Sequence, residues 1–204
     1  MDGEYTERPL IIAGGAGGSA GPHGAVQYTT TDASLSPNGK DGYQSTANVG
    51  NGGTNGNGGN RGYRLTGNNV PGGGAGFRGD GVKSSDNRFE PRPTAAVAVK
   101  RNNQENVNPP GSGGTYNYNG VPYDGGFGGG GSGARNAPGG AGGYSGGGGA
   151  NLDGHSGGGG SFKDGERVGN YRIEANNIGA GEVRIEYLGE SLIINQEIRD
   201  EQTS

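Results

Sequence analysis

Glycine is the feature that most constrains how this chain can fold. It occupies 52 of the 204 positions and comes in pairs and uninterrupted blocks, such as Gly128 to Gly131 and Gly146 to Gly149. An ordered glycine loses more backbone freedom than any other residue and has no side chain to bury. Hydrophobic residues make up only 27% of the chain, so a conventional core of packed helices and sheets cannot extend along its whole length. If the glycine blocks are ordered, contacts between backbones must stabilise them.

The composition divides the chain into an opening segment, a long glycine-rich region and a closing segment. Residues 1–13 are the opening segment, in which the apolar run Arg8 to Ala13 predicts a β-strand because Pro and Gly bound it. Residues 14–160 are the glycine-rich region. Residues 161–190 and a polar tail at 191–204 complete the chain.

The closing segment carries two patterns that are typical of strands with one buried face. Tyr171 to Ala175 and Glu182 to Tyr187 both alternate apolar and polar residues. The short apolar run Ser191 to Ile194 predicts a further strand, and the charged residues after it are expected to fray.

Several known architectures use abundant glycine, and the pattern here excludes one of them. Collagen needs glycine at every third position, whereas these glycines come in blocks. A flexible linker fits the composition, but aromatic residues within or next to the glycine blocks count against it. These aromatic residues are Phe77, Phe127, Tyr144 and Phe162. An ice-binding surface would need a regular array of Thr, and only Thr29 to Thr31 come close.

Packed polyproline II segments are the remaining interpretation. That conformation has three residues per turn and no internal hydrogen bonds, so every N–H and C=O is free to pair with a neighbouring segment. Because glycine lacks a Cβ, such segments can approach closely. We therefore predict a mostly irregular, glycine-rich polyproline II bundle with a few flanking β-strands and essentially no α-helix.

Charge and residue types exclude several functional classes. The net charge of −4 gives no electrostatic reason to expect nucleic acid as a partner. The chain has no Cys, no apolar run long enough to span a membrane and an acidic N-terminus unlike a signal peptide. It shows no metal-binding motif, no cofactor motif and no kinase signature. We expect no enzyme activity, no catalytic or metal-binding residue, no cofactor and no membrane insertion of this segment.

The two histidines do not change that expectation. His23 and His155 lie next to Gly or Ser, and Asp153 beside His155 is interpreted as part of a solvated loop rather than a catalytic pair. Asn-Gly pairs at Asn38, Asn51, Asn57 and Asn119 predict turns.

One tripeptide predicts a recognition loop. Arg78-Gly79-Asp80 is the sequence that integrins bind, and Phe77 and Gly81 on either side suit an exposed loop. A match this short arises readily by chance in a glycine-rich chain.

Four sequence motifs, taken in order, resemble a known family. They are Pro9-Leu10-Ile11-Ile12-Ala13-Gly14-Gly15, Gly125-Gly126-Phe127 with the glycines after it, Gly142-Gly143-Tyr144-Ser145 with the glycines after it, and Gly179-Ala180-Gly181-Glu182-Val183-Arg184-Ile185. Together they resemble the glycine-rich ectodomain region of the anaplastic lymphoma kinase and leukocyte tyrosine kinase receptors. The resemblance covers about residues 8–188.

The resemblance implies a polyproline II bundle inserted in a tumour-necrosis-factor-like sandwich. It also implies an extracellular, non-catalytic module on the outer side of the plasma membrane, within a larger receptor tyrosine kinase. The module would help bind a small cytokine-like protein ligand and assemble a dimeric receptor. Glu182 matches the family residue that faces basic ligand residues, and a solvated strand carboxylate is the alternative role for it.

A second function remains open from the residues alone. The chain could be a glycine-rich adhesin or matrix protein that displays loops from the same kind of bundle and binds a cell-surface protein or sugar. In that case Tyr116, Tyr118 and Tyr123 would form the binding cluster.

Overall fold

Most of the chain is neither helix nor sheet. The computed structural model describes residues 9–20, 28–43, 49–62, 70–83, 113–126, 128–134 and 136–166. Within those ranges the helical structure is one four-residue helix, α1 (Tyr28–Thr31). The prediction of a mostly irregular chain with essentially no helix is confirmed.

Short antiparallel strands bracket the glycine-rich region. β1 (Ile11–Ile12) pairs with β4 (Phe162–Lys163), with Ile11 opposite Lys163 and Ile12 opposite Phe162. The strand expected between Arg8 and Ala13 is therefore present but shorter. The strands expected at 171–175, 182–187 and 191–194 lie outside the described residues.

A second pair of strands forms a hairpin within the glycine-rich region. β2 (Asn117–Tyr118) pairs antiparallel with β3 (Val121–Pro122) across the two-residue turn Asn119-Gly120. Both turn residues have left-handed backbone angles, φ 50° at Asn119 and 81° at Gly120. That combination matches the tight turn favoured in two-residue hairpins, which explains why Asn-Gly occurs there.

The glycine-rich segments are joined by backbone hydrogen bonds between residues far apart in sequence. Residues 144–150 lie at the centre, and each N–H from Gly146 to Ala150 donates to another segment. The donors with their acceptor carbonyls are Gly146 to Asn57 (3.0 Å), Gly147 to Ala141 (2.8 Å), Gly148 to Lys40 (3.0 Å), Gly149 to Asn60 (2.8 Å) and Ala150 to Pro138 (3.1 Å). Donors three residues apart thus reach the same neighbouring segment.

The carbonyls of the central segment repeat this spacing. The N–H donors to them are Gly160 to Ser145 (2.8 Å), Gly53 to Gly146 (2.7 Å), Gly74 to Gly147 (3.0 Å), Gly157 to Gly148 (2.8 Å) and Gly50 to Gly149 (2.8 Å). Segment 157–160 reaches two carbonyls three residues apart, as does segment 50–53. Every backbone N–H and C=O from Gly146 to Gly149 is therefore hydrogen-bonded to another segment.

Close approach explains why these positions are glycine. A methyl group on Gly147 would overlap the carbonyl oxygen of Gly157, and one on Gly148 would overlap that of Gly50. The same holds for Gly146 against Gly74. Any side chain at these positions would push the segments apart and break the hydrogen bonds between them.

Small and aromatic side chains fill the space that the backbones leave. The buried apolar side chains are mainly alanines, including Ala75, Ala134 and Ala150. Three rings form a stack in which Tyr144 lies between Phe77 (6.4 Å between centroids) and Phe162 (4.4 Å). From the sequence we expected that burial of large apolar side chains could not stabilise the centre of this fold. The small buried side chains agree with that expectation.

Buried serines act as additional backbone partners. The Ser145 hydroxyl accepts a hydrogen bond from the N–H of Gly56 (3.0 Å), and the Ser156 hydroxyl accepts one from Gly18 (2.7 Å). Both serines have no exposed surface. A serine fits where its hydroxyl can replace a neighbouring carbonyl, since the polar group is then satisfied.

Candidate binding loops

The Arg78-Gly79-Asp80 tripeptide lies on a sharp bend at the surface. The N–H of Gly76 donates to the carbonyl of Gly79 (2.9 Å), which closes the bend. Arg78 and Asp80 are both exposed, and Gly79 between them is half-buried. The sequence expectation of an exposed loop is met in this respect, while integrin binding stays a prediction.

A neighbouring turn supports this bend. The N–H groups of Arg78 (2.8 Å) and Gly79 (3.3 Å) both donate to the carbonyl of Gly56. Asn55 and Gly56 have φ of 55° and 84°, and the side-chain carbons of Arg78 pack over Gly56. The backbone of the tripeptide is therefore held in place by hydrogen bonds to the turn at Asn55-Gly56.

Sequence reasoning missed the residues that provide this support. Turns were predicted at Asn51 and Asn57, but the left-handed pair is Asn55-Gly56, and Asn57 closes that turn by donating its N–H to the Thr54 carbonyl (3.0 Å). Adjacent Asn-Gly pairs compete for the same turn, and the neighbouring segments decide between them. The Asn119 prediction is confirmed, because its flanking residues form strands.

The hairpin tip is the second exposed loop. Asn119, Gly120 and Pro122 are exposed, and Val121 keeps 51% of its surface accessible. The N–H of Gly120 donates to Oδ1 of Asn117 (2.9 Å), which stabilises the turn. The tip therefore offers an ordered polar surface with one apolar residue.

Tyr116 anchors this hairpin instead of facing a partner. It is 4% exposed and forms a buried cluster with Ala134 and Ala137, against which Tyr123 packs. The rings of Tyr116 and Tyr123 are 6.0 Å apart. The interpretation of these tyrosines as a displayed cluster is wrong for Tyr116, since burial of an aromatic ring was the stronger effect.

His155 is also placed differently from the loop that its neighbours in sequence predicted. It is 2% exposed, its Nδ1 lies 2.7 Å from the hydroxyl of Ser19, and it stacks against Tyr43 at 6.4 Å. Asp153 is exposed. The backbone of His155 exchanges two hydrogen bonds with that of Tyr43 (2.7 and 2.9 Å), which holds the ring among the packed segments.

Three further features concern Glu182, metal binding and membrane-spanning helices. Glu182 lies outside the described residues, so its ligand-binding role stays a prediction. In the described ranges, no group of three or more His, Asp or Glu is arranged to hold a metal ion. No helix within the same ranges is long and apolar enough to cross a bilayer.

Comparison with known proteins adds no assignment to this geometry. No protein family, no curated protein and no solved structure matches this chain.

Proposed function

We propose that this chain is a non-catalytic binding module in which packed polyproline II segments hold short recognition loops. In the role implied by the resemblance, it is the glycine-rich extracellular part of a receptor tyrosine kinase. There it would contribute to binding of a small cytokine-like protein ligand and to assembly of a dimeric receptor. The bend at residues 76–80 and the hairpin at 117–122 are two surfaces available for such contacts.

The three-residue spacing of the backbone hydrogen bonds is the observation that carries the proposal. In residues 145–150, groups three apart along the chain pair with the same neighbour. A polyproline II segment returns to the same side every three residues, whereas a β-strand does so every two. Residues 155–160 support the same assignment, because Gly157 and Gly160 donate to the central segment while Ser156 and Gly159 donate to residues 15–18.

A bundle of this kind suits binding better than catalysis. Its interior is backbone and small side chains, which leaves few groups for acid–base chemistry. Its loops are held at both ends by hydrogen-bonded segments, so they lose little conformational freedom on binding a partner. Preorganised loops on a rigid scaffold are a common basis of protein recognition.

Solution measurements on the purified chain test the bundle. We expect a strong polyproline II signal in circular dichroism, resistance to proteases and a radius of gyration near 17 Å, against about 49 Å for an unfolded chain of this length. Amides of residues 145–160 should exchange slowly with solvent. A random-coil spectrum with rapid exchange of these amides would exclude the bundle.

The receptor role has a separate test in the complete gene. We expect it to encode sandwich strands before the glycine-rich region and a membrane span with a kinase domain after it. Glu182→Arg should then weaken binding of the receptor's protein ligand by repelling its basic residues. A gene without either flanking part would contradict the receptor role and leave the bundle untouched.

The exposed hairpin supports an adhesin as the second candidate. Its tip projects an ordered turn and an exposed Val121, as a loop that binds a cell-surface sugar or protein would. Binding to a glycan array and to cell surfaces can be compared for the native chain and Val121→Asp. Loss of surface binding in the variant supports the adhesin, and unchanged binding argues against it.

A further inference from the structure

A groove of about 820 Å³ runs along one side of the glycine-rich region. Residues 136–142 form its floor. Residues 13–20 form one wall, where Gly15 donates to Gly142 (2.9 Å), and residues 123–126 and 128–134 form the other, where Gly131 donates to Gly140 (2.8 Å). The volume is in the range of ligand pockets, roughly 300–1,000 Å³, but the lining is mostly Gly and Ala.

The floor has two backbone donors without a partner. In the described structure, the N–H groups of Gly139 and Gly142 make no hydrogen bond. The residues after them are bonded, since Gly140 donates to Gly72 (3.0 Å) and Gly143 donates to Ala75 (3.2 Å). The open donors are three residues apart and both line the groove.

The floor residues 136–142 therefore differ from the central residues 146–150 in leaving backbone N–H groups unpaired. Every N–H from Gly146 to Ala150 is paired, whereas residues 137–143 leave the N–H groups of Gly139 and Gly142 unpaired, and both of these residues line the groove. The groove has the chemistry of the contacts inside the bundle, namely bare backbone with unpaired polar groups. An extended strand with the same three-residue repeat is the shape that completes it.

We propose that this groove binds one extended, glycine-rich strand of a partner polypeptide in the polyproline II conformation. Two carbonyls of that strand, three residues apart, would accept hydrogen bonds from Gly139 and Gly142. Over the seven residues 136–142, roughly 20 Å at 3.1 Å per residue, the groove accommodates a strand of about seven residues. This inference rests on the polyproline II conformation that we propose for the bundle.

The lining also specifies features of the bound strand. Side chains on the strand face that contacts the floor must be absent, because facing positions inside the bundle have no space for a Cβ. Asp124, an exposed carboxylate, lines the groove beside Tyr123. A Lys or Arg at one end of the strand would complement that charge.

A second copy of this chain is a poorer occupant. The glycine blocks 146–149 and 157–160 already use their backbone groups inside the bundle. A copy that donated either block would lose those hydrogen bonds. We therefore assign the groove to a different polypeptide.

Synthetic peptides of nine residues test the proposal on the intact chain. The probes are a Gly-Gly-Ala repeat with one Lys at either end, labelled with a fluorophore for polarisation measurements. A control peptide replaces both glycines of each repeat with Val. We expect binding of at least one Gly-Gly-Ala peptide, in the orientation that brings Lys to Asp124, and at least tenfold weaker binding of the control.

Matched variants locate the binding. Ala16→Trp and Gly126→Trp place an indole on opposite walls; Ala16 is exposed, and no atom lies within 4 Å of a Cβ at Gly126. Both should raise the Kd tenfold or more. Asn60→Trp, at an exposed position outside the groove, should leave the Kd within twofold.

The remaining outcomes overturn the proposal. If no peptide binds while amide exchange shows an intact bundle, the groove is not a strand site although the proposed bundle stands. Equal loss in all three variants, or no loss in any, places binding elsewhere. Self-association of the free chain that Ala16→Trp abolishes would identify a second copy as the occupant.

Discussion

At the scale of single residues, the described structure depends on positions where a side chain is absent, because backbones approach each other closely there. Gly147 and its neighbours lie so close to other backbones that a methyl group has no space. Elsewhere glycine has no such role, since no atom lies near the Cβ position of Gly165. The glycines of this chain therefore differ widely in how much they contribute to its stability.

Replacing Gly147 with Ala should destabilise the chain severely. The new Cβ would overlap the Gly157 carbonyl and force the two segments apart, so we expect a loss above about 4 kcal/mol in the free energy of unfolding. Gly165→Ala is the matched control and should lie between neutral and about 1 kcal/mol more stable. Thermal and urea unfolding measure both, and equal effects would refute the close packing.

Replacing Ser145 with Ala should have a smaller, defined cost. The buried N–H of Gly56 would lose its acceptor, and an unsatisfied buried donor costs about 1–3 kcal/mol. Thr54→Ala, at an exposed side chain, should change stability by less than about 0.5 kcal/mol. A stability change for Ser145→Ala as small as that of the control would mean that water replaces the hydroxyl.

At the scale of elements, the two exposed loops are each anchored by a separate set of contacts. The β2–β3 hairpin is attached through Tyr116 and Tyr123, and the bend at 76–80 lies against the turn at 54–57. Each loop has its own anchor, so each should loosen independently of the glycine segments.

Tyr116→Ala should release the hairpin without unfolding the hydrogen-bonded glycine-rich segments. Removing a buried aromatic side chain costs about 3–5 kcal/mol, and we expect this loss to appear as faster amide exchange at residues 116–123. Exchange at residues 145–160 should stay slow. Val121→Ala, which removes exposed carbons, serves as the control, and loss of protection throughout the chain would contradict independent anchoring.

At the scale of the whole molecule, backbone hydrogen bonds and close contacts take the place of a large apolar core in the part of the chain that the structure describes. The buried hydrophobic residues are mostly alanine, and the buried polar ones include Ser132, Ser145 and Ser156. Stability should therefore depend on polar contacts and dispersion more than on removal of apolar surface from water.

This balance predicts an unusual heat capacity of unfolding. Exposed apolar surface raises that quantity and exposed polar surface lowers it, which gives about 12–15 cal/mol/K per residue in ordinary domains. We expect a clearly smaller value per residue for this chain in scanning calorimetry. A value in the ordinary range would indicate that a large apolar core forms.

The sequence by itself determined the kind of contact but not the partners. Blocks of glycine exclude helices and a large apolar core, the apolar run at 8–13 indicates a strand, and Asn119-Gly120 indicates a turn. The anchoring role of Tyr116, the burial of His155 and the Asn55-Gly56 turn followed only from the tertiary structure, because each depends on a distant segment.

The two four-glycine blocks show why the sequence alone does not determine which segments pair. Gly146 to Gly149 and Gly157 to Gly160 are identical in sequence, yet the first lies at the centre and the second beside it. Backbone hydrogen bonds are the same for every glycine, so no pattern of side chains specifies which segments pair. Only the packing of all segments together, with the rings and serines at their ends, selects one arrangement.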